Sequence, residues 1–354
     1  MIKENIFYIG PFTKSGGVST FSYTLKHLDL DDYNIVPHNT FRVKNENYNS
    51  KVFIIQNILN FIIYFVGMFF RKEFYKTKKF HISVTSNFGF YEKAFLYFCL
   101  KIFRKKVLFH IHGGGFYDFY TRSRFKVFIK NILNNVDLLI VLSNSWKDIF
   151  QNKIRVTTQI EVLHNTIDFK EALENNKHSI ENTFLFIGNL VKEKGLLDLL
   201  KVIEDNEVWL KENKCKFIIC GKGDLEQTII ESHSELITFK GLVAGKIKDE
   251  IFYKSKYLIL PSYIEGLPYV ILEGMNYGLY VISTKVGAIP EIINSEKKGL
   301  LFEAGRKEEL FKTIKKSITL EKKNTFSINR NIIKDCFSNQ YIKRTLIKIY
   351  GENV

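Results

Sequence analysis

Residues 257–278 read YLILPSYIEGLPYVILEGMNYG, and the rest of the chain is organised around them. The apolar start of this stretch, Tyr257–Leu260, predicts a buried strand, residues 263–267 predict a loop, and Pro268 predicts the start of a helix, because proline is favoured there. The first N–H groups of a helix lack partners inside the helix, and the helix dipole places roughly +0.5 charge at this end. A strand, a loop and a helix in this order therefore predict an anion site suited to phosphate.

Two glutamates bracket this predicted anion site. Glu265 lies in the loop, and Glu273 follows eight positions later on the helix. A carboxylate accepts hydrogen bonds from two hydroxyl groups at once, which suits a ribose diol or two neighbouring sugar hydroxyls. The spacing indicates a ligand with a phosphate in the middle and polyols at both ends, which is the shape of a nucleotide diphosphate sugar. Two solvated glutamates beside a helix start are the alternative.

Three further segments have the pattern of a turn that follows a strand and binds a ligand. Gly16 and Gly17 follow the first apolar strand without forming a G-x-G-x-x-G dinucleotide fingerprint, so a simple tight turn is the alternative there. Lys194 precedes Gly195 at a predicted loop-to-helix turn, where an ammonium group can reach a pyrophosphate. His112 stands at the end of the strand predicted at Lys106–Ile111 and leads into three glycines, and ligands of parallel sheets bind beyond such strand ends. A packed structural histidine is the alternative for His112, and His110 on the same strand face is expected to lie deeper.

The motif set resembles a known family. Glu265-Gly266-Leu267-Pro268, with Glu273, Gly278, Gly287 and Pro290-Glu291, is similar to the signature of the family 4 retaining glycosyltransferases, strongest over residues 184–302. The resemblance implies an α/β protein of the GT-B fold, in which two Rossmann-like domains face each other across a cleft. We expect an acceptor domain at residues 1–168, a polar linker at 169–182, a donor domain at 183–338, and a last helix at 339–354 that packs back on the first domain.

The resemblance also implies the residues of the site. The catalytic group would be His112, which contacts the transferred sugar, Glu265, which positions it, and Lys194, which meets the charge of the leaving diphosphate. Attack would occur on the face that the nucleotide leaves, and the departing phosphate oxygen would take the proton of the acceptor. The residues that would bind the donor are Gly16, Gly17, Asn189, Lys194, Gly223, Leu242, Val243, Glu265, Gly266, Leu267, Pro268 and Glu273.

Within this set, Glu273 would bind the ribose, and the main chain around Leu242 and Val243 would pair with the base. Asn189 departs from the family, because most members have an arginine there that also holds the diphosphate. Lys194, Lys192 and the helix start at Pro268 would then have to stabilise the negative charge of the diphosphate. A UDP-sugar is the favoured donor.

Two apolar segments, residues 52–70 and 91–103, end in clusters of Lys and Arg. Such helices suit the headgroup region of an anionic membrane. Covering helices of the sheet are the alternative, and a single transmembrane span is less favoured because a strand pattern follows directly. Together with the family resemblance, these segments predict a lipid-linked saccharide acceptor of bacterial capsule, O-antigen or cell-wall synthesis. They also predict a cytoplasmic protein that is peripheral to the inner membrane face. We expect no secretory leader.

Composition narrows the function classes. The net charge of +15 in 354 residues favours a polyanionic partner, but the lysines are spread and no nucleic-acid motif accompanies them, so nucleic acid is not expected. The four cysteines are scattered, and we expect them to be reduced core residues: Cys99, Cys215, Cys220 and Cys336.

No Asp-x-Asp sequence stands at a suitable strand end, so we expect no metal and no cofactor beyond the nucleotide sugar. A sugar-nucleotide 2-epimerase of the GT-B fold and an inactive glycosyltransferase-like binding subunit remain as alternatives, and Asn189 permits the second.

Overall fold

The computed structural model describes residues 3–12, 17–40, 51–171, 182–232, 234–321 and 324–351, with backbone only for 51–58. The chain forms two compact units. The first comprises Met1–Thr166 with Asn339–Val354, and the second comprises Ile167–Ser338. Gly16 and most of the predicted linker, residues 172–181, lie outside the described residues.

The first unit is built on a six-stranded parallel sheet. Its strands are rich in Ile, Val, Leu and Phe because both faces of a parallel sheet are covered. The strands are β1 (Glu4–Gly10), β2 (Tyr33–Asn39), β3 (Lys79–Val84), β4 (Lys106–Ile111), β5 (Leu138–Val141) and β6 (Ile160–Val162). Their order in the sheet is β2-β1-β3-β4-β5-β6. The chain therefore changes direction across the sheet between β1 and β3, where parallel α/β sheets open a crevice for ligands.

Helices connect these strands. They are α1 (Gly17–His27), α2 (Lys51–Phe69), α3 (Lys72–Lys76), α4 (Phe88–Ile102), α5 (Phe116–Arg122), α6 (Lys126–Asn135) and α7 (Asn144–Asp148), the last continued by a π-helical turn at Ile149–Ile154. Helix α7 is capped at its start, since the Ser143 side chain accepts a hydrogen bond from the Trp146 N–H.

The second unit repeats the plan with a second parallel sheet. Its strands are β7 (Asn182–Ile187), β8 (Cys215–Cys220), β9 (Ile237–Gly241), β10 (Tyr257–Leu260), β11 (Tyr280–Thr284) and β12 (Gly299–Phe302). Their order is β12-β11-β10-β7-β8-β9, so the direction of the chain across the sheet changes between β7 and β10. The carboxyl ends of β7 and β10 therefore flank the crevice in which this fold binds ligands.

The helices of the second unit follow its strands in the same way. After a 3₁₀ turn at Lys192–Lys194 they are α8 (Leu196–Asp205), α9 (Glu207–Glu212), α10 (Glu226–Glu231), α11 (Gly245–Lys254), α12 (Tyr269–Asn276), α13 (Ile289–Ile292), α14 (Lys307–Thr319) and α15 (Thr325–Ile332), the last followed by a π-helical turn at Ile333–Phe337. Helix α12 begins one residue later than predicted, because Pro268 keeps an extended backbone and forms the cap.

The last helix, α16 (Asn339–Gly351), belongs to the first unit. Its Tyr350 is fully buried, and the Tyr350 hydroxyl lies 2.7 Å from His81 Nδ1 on β3. The Lys79 ammonium donates to the Tyr350 carbonyl oxygen at 2.5 Å. The end of α16 is thus fixed to the central strands of the first sheet.

Helices α2 and α4 have an unusual distribution of side chains. Glu92 and Lys93 of α4 are buried as an ion pair with 2.7 Å between Lys93 Nζ and Glu92 Oε1, and both bond to the Tyr64 hydroxyl of α2. The outward faces of the two helices carry exposed apolar side chains instead, namely Leu59, Ile62, Ile63, Val66, Phe95, Phe98 and Ile102. We call these seven residues the apolar face. Among the described residues, no helix is long and apolar enough to cross a bilayer.

Candidate functional site

The candidate site of the second unit lies at the carboxyl ends of β7 and β10. The loop after β7 carries Lys194, and the loop after β10 carries Glu265. Gly195 follows Lys194 with a left-handed φ of +68°, and a Cβ there would stand 1.9 Å from the Pro261 carbonyl oxygen. Glycine is therefore required for the two loops to approach each other.

Contact between the two loops brings Glu265 and Lys194 together. The Lys194 Nζ lies 2.6 Å from Glu265 Oε1, and the Ser262 hydroxyl donates to the same oxygen at 2.7 Å. Glu265 is 9% exposed, while the Lys194 side chain keeps 24% of its surface exposed. The carboxylate is thus fixed by two donors, and the ammonium remains reachable from solvent.

The loop that carries Glu265 is also held from the neighbouring turn after β11. The Ala288 N–H donates to the Gly266 carbonyl oxygen at 2.9 Å. Gly287 has a φ of +58°, and a Cβ there would stand 2.3 Å from the Glu265 carbonyl oxygen. The backbone of residues 265–268 is therefore held in place before α12 begins, and Leu267 and Pro268 are buried.

Glu273 forms a second ion pair on α12. The Lys248 Nζ of α11 lies 2.5 Å from Glu273 Oε1, and the two side chains are 29% and 30% exposed. Lys248 belongs to no motif that the sequence displays, and the sequence analysis did not predict it. Ser262 was also missed as a site residue, although it directly precedes the loop that carries Glu265.

The remaining predicted donor residues of the second unit follow strands β7, β8 and β9. Asn189 is exposed after β7, Leu242 is 77% exposed after β9, and Val243 is half-buried beside it. The Gly223 N–H after β8 donates to Glu226 Oε1 at 2.9 Å. The second unit thus carries these residues on turns at the carboxyl ends of its strands, and their assigned roles stay predictions.

In the first unit, His112 follows β4 and lies beside α1. Its ring is 5.3 Å from the Phe21 ring of α1, the helix that begins at Gly17. As predicted, His110 is the deeper of the two histidines, with no exposed surface against 9% for His112. Burial lowers the pKa of His112 to about 3, so the imidazole is neutral at physiological pH.

His112 stands at the end of a buried column of histidines. The His110 and His112 ring centres are 3.9 Å apart, and His81 Nε2 lies 3.2 Å from His110 Nδ1. Burial and the neighbouring His112 lower the pKa of His81 as well, to about 3. The column is therefore a neutral, packed array whose outermost member is His112.

The part of the chain that the structure describes offers no cluster of metal ligands. No group of three or more His, Cys, Asp or Glu side chains there could hold a metal ion. Lys192 and Lys194 on the turn after β7 and Lys248 on α11 carry positive charge on the elements described above.

Comparison with known proteins identifies one matching family model and several similar glycosyltransferases. Residues 168–333 match the family model described as glycosyl transferases group 1. The α-1,4-N-acetyl-D-galactosaminyltransferase of Campylobacter jejuni that acts on a diphosphoundecaprenol-linked saccharide is 29% identical over 224 residues, which are 61% of this chain and 60% of that protein. The chain thus matches about three fifths of this relative's length. The capsular polysaccharide biosynthesis glycosyltransferase CapH of Staphylococcus aureus is 27% identical over 183 residues, 48% of this chain and 50% of CapH.

Solved structures of similar fold cover almost the whole chain. Sucrose-phosphate synthase from Thermosynechococcus elongatus superposes with a TM-score of 0.77 at 15% identity, covering 98% of both chains. Anabaena HepE in complex with UDP-glucose has a TM-score of 0.69 at 16% identity, covering 98% of this chain and 99% of HepE. The predicted GT-B fold of two Rossmann-like units is confirmed by these likenesses and by the two six-stranded parallel sheets.

Proposed function

From the match of residues 168–333 to the group 1 glycosyltransferase family model, we propose that this chain is a retaining glycosyltransferase that moves a sugar from a nucleotide diphosphate sugar to a lipid-linked saccharide. The observation that carries this proposal is the contact of Lys194 with Glu265 at the carboxyl ends of β7 and β10. An anion-binding lysine and a sugar-binding carboxylate are thereby held side by side at the crevice of a Rossmann-like sheet. A nucleotide diphosphate sugar offers the matching groups in the same order.

In the proposed donor complex, the start of α12 and Lys194 bind the diphosphate. Glu265 binds hydroxyls of the transferred sugar, and Glu273 binds the ribose. The family resemblance adds Gly16, Gly17 and Gly223 near the diphosphate, His112 at the sugar, and the main chain at Leu242 and Val243 for the base. Asn189 lacks the guanidinium fork of an arginine, so Lys194 carries a larger share of the diphosphate's charge.

The proposed reaction proceeds with retention of configuration. The acceptor hydroxyl attacks the anomeric carbon on the face from which the nucleotide leaves, and the departing phosphate oxygen takes the acceptor's proton. Negative charge grows on that oxygen in the transition state, where Lys194 and the first N–H groups of α12 stabilise it. Glu265, already engaged by Lys194 and Ser262, acts by orienting the sugar rather than as a free base.

We propose a UDP-sugar as donor and a reaction that needs no metal. The UDP-glucose complex of HepE, a protein of similar fold, favours uridine nucleotides as the first to be tested. The positive charge of Lys194 and of the start of α12 supports metal independence, because it can meet the charge of the leaving diphosphate without a divalent ion.

For the acceptor we propose a lipid-linked saccharide of bacterial surface polysaccharide synthesis, reached from the inner face of the cell membrane. The named functions of the Campylobacter and Staphylococcus relatives favour this pathway class. The apolar face of α2 and α4 supports attachment to the membrane, because these helices bury a charged pair and leave apolar side chains outside. Exposed basic residues continue from that face and suit anionic headgroups: Lys72, Lys76, Lys78, Arg104 and Lys106.

The experiment that tests this function is a panel of UDP-, GDP- and ADP-sugars incubated with the protein in EDTA and without acceptor. We expect slow hydrolysis of one donor class, with the uridine sugars first, and release of the sugar with its anomeric configuration kept, measured by proton NMR. An inverted product would contradict the retaining mechanism, and loss of turnover in EDTA would contradict metal independence. Accumulation of an epimerised nucleotide sugar would identify an epimerase instead.

A further inference from the structure

The ion pair between α11 and α12 includes a lysine to which no function has been assigned. We propose that Lys248 is a positioning residue of the donor site, which holds Glu273 in the orientation that binds the 2′-hydroxyl of the nucleotide's ribose. This inference rests on the proposed function, because it takes Glu273 as the ribose ligand. It adds a residue that neither the sequence motifs nor the family signature contains.

Lys248 is held rigidly with respect to Glu273. The Phe252 ring of α11 stacks on the ring of Tyr277, the residue that ends α12, with centres 5.1 Å apart and planes 15° apart. The Tyr277 hydroxyl also donates to Asp249 Oδ1 at 2.5 Å. Since Tyr277 follows Glu273 by one helical turn, these contacts fix the distance between Lys248 and Glu273.

The place of Lys248 in the chain agrees with a role at the nucleoside. Helix α11 starts at Gly245, two residues after Val243 in the segment proposed to pair with the base. Lys248 therefore stands in the first turn after that segment and contacts the glutamate proposed for the ribose. Base and ribose are adjacent in any nucleotide, so one short stretch would serve both.

The chemistry of the pair supports this orientation. The Lys248 ammonium engages Oε1 of Glu273, which restricts rotation of the carboxylate about its last bond. A ribose hydroxyl can then donate to an ionised carboxylate whose direction is already set, and such charge-assisted hydrogen bonds are the strong ones. The positive charge also offsets the repulsion between Glu273 and a bound diphosphate.

The test compares the affinities of the full chain for UDP, GDP and ADP and for their 2′-deoxy analogues by calorimetry. We expect the wild type to bind its preferred ribonucleotide about tenfold more tightly than the deoxy analogue, the effect of one charge-assisted hydrogen bond. Lys248→Met should bring this ratio close to one, and Lys248→Arg should restore most of it. The control is Lys170→Met, which breaks the 2.8 Å ion pair between Lys170 and Asp249 of the same helix α11 and should leave the ratio unchanged.

The outcomes separate this inference from the proposed function. If the wild type binds none of the three nucleoside diphosphates, the proposed function is contradicted. If it binds one with no preference over the deoxy analogue, or if Lys248→Met keeps or increases the wild-type ratio, the inference about Lys248 is overturned while the glycosyltransferase proposal stands. An equal loss of the ratio in Lys170→Met would also overturn it, since the effect would then belong to the fold of α11.

Discussion

Glu265 is the residue on which the proposed donor site depends. Its carboxylate would lose much of its hydration on burial, and the bonds from Lys194 and Ser262 compensate for that loss. An oriented carboxylate binds sugar hydroxyls without first giving up rotational freedom. Most of the stabilisation of a transferred sugar then comes from groups that were in place before the substrate arrived.

Ser262→Ala tests this orientation at one atom. Loss of one hydrogen bond to Glu265 should lower kcat for donor hydrolysis by about tenfold, the rate equivalent of about 1.4 kcal/mol, while the affinity for UDP alone stays unchanged. The control is Ser283→Ala, because Ser283 is equally buried and its hydroxyl donates to the Leu260 carbonyl oxygen at 2.8 Å. A similar fall in kcat for both variants would show that Ser262 acts only through stability.

His112 gives a prediction about pH. The pKa of His112 is about 3 in the folded protein, against about 6.5 in an unfolded chain, so the unfolded chain binds more protons between these values. Stability therefore falls as the pH falls through this window. Protonation of this histidine in the unfolded chain lowers the free energy of unfolding by about 2 kcal/mol between pH 7 and pH 5.

His112→Asn should accordingly lose about 2 kcal/mol less stability than the wild type between pH 7 and pH 5, measured by urea unfolding of the first unit. The comparison variant is His27→Asn, since His27 is exposed on α1. His27→Asn should follow the wild type. Equal pH slopes for His112→Asn and the wild type would mean that His112 is not held neutral by the fold.

At the scale of elements, the turn after β7 and the turn after β10 form one structure. Gly195 allows contact with Pro261, and the Tyr263 N–H donates to the Glu193 carbonyl oxygen at 2.8 Å. The two turns leave neighbouring strands at the point where the chain changes direction across the sheet. Their mutual support explains why Lys194 and Glu265 meet although they are far apart in the sequence.

Gly195→Ala should break this contact. The substitution forces an alanine into a left-handed backbone and places its Cβ against a carbonyl oxygen, which should lower the unfolding free energy of the second unit by about 3 kcal/mol and abolish stabilisation by UDP. The matched control is Gly245→Ala, since Gly245 has a φ of +56° with no heavy atom within 4 Å of the added Cβ. There the loss should be about 1 kcal/mol, with UDP binding kept. Thermal unfolding with and without UDP distinguishes the two, and equal effects would contradict the account.

The sequence predicted most elements closely and their ends less well. The strand predicted at Tyr257–Leu260 is β10, and the strand predicted at Lys106–Ile111 is β4. The apolar run within Asp137–Ser143 predicts a strand over that whole stretch, but β5 is shorter, Leu138–Val141. Asp137 accepts a hydrogen bond from the Val107 N–H, and Ser143 caps α7. These polar side chains bond beyond the strand ends, and an apolar pattern does not reveal such partners.

The sequence predicted the candidate donor residues from residue types at characteristic spacings. It did not predict the side chains with which they form ion pairs and hydrogen bonds. The motif indicated that Glu265 and Lys194 belong to one site, whereas their direct contact depends on a glycine and on the strand order. Lys248 was not predicted because its partner lies 25 positions away on another helix, and a lone lysine in a chain rich in lysine carries no signal. Contacts of this kind are set by packing between elements rather than by local pattern.

At the scale of the whole molecule, the membrane proposal depends on the apolar face of α2 and α4. Ile63→Glu and Phe98→Glu each place a charge on that face, where the exposed fractions are 68% and 47%. Each variant should bind vesicles containing phosphatidylglycerol about tenfold more weakly, because a buried Ile or Phe contributes about 1.5 kcal/mol or more. Co-sedimentation at physiological salt measures this.

The control for vesicle binding is Val208→Glu, since Val208 is 73% exposed on α9 of the second unit, outside the apolar face. It should bind vesicles as the wild type does. If the wild type ignores these vesicles, or if all three variants lose binding equally, attachment through α2 and α4 is contradicted. The donor site of the second unit is unaffected by that outcome.

The central claim is that this chain cleaves a nucleotide diphosphate sugar with Lys194 at the leaving diphosphate. The most direct measurement is the rate of nucleotide release from the preferred donor by the wild type, Lys194→Met and Lys201→Met, where Lys201 forms only surface ion pairs on α8. The account predicts a fall of about 100-fold or more for Lys194→Met and wild-type release for Lys201→Met. Equal rates for the wild type and Lys194→Met, or no release from any donor by the wild type, would contradict it.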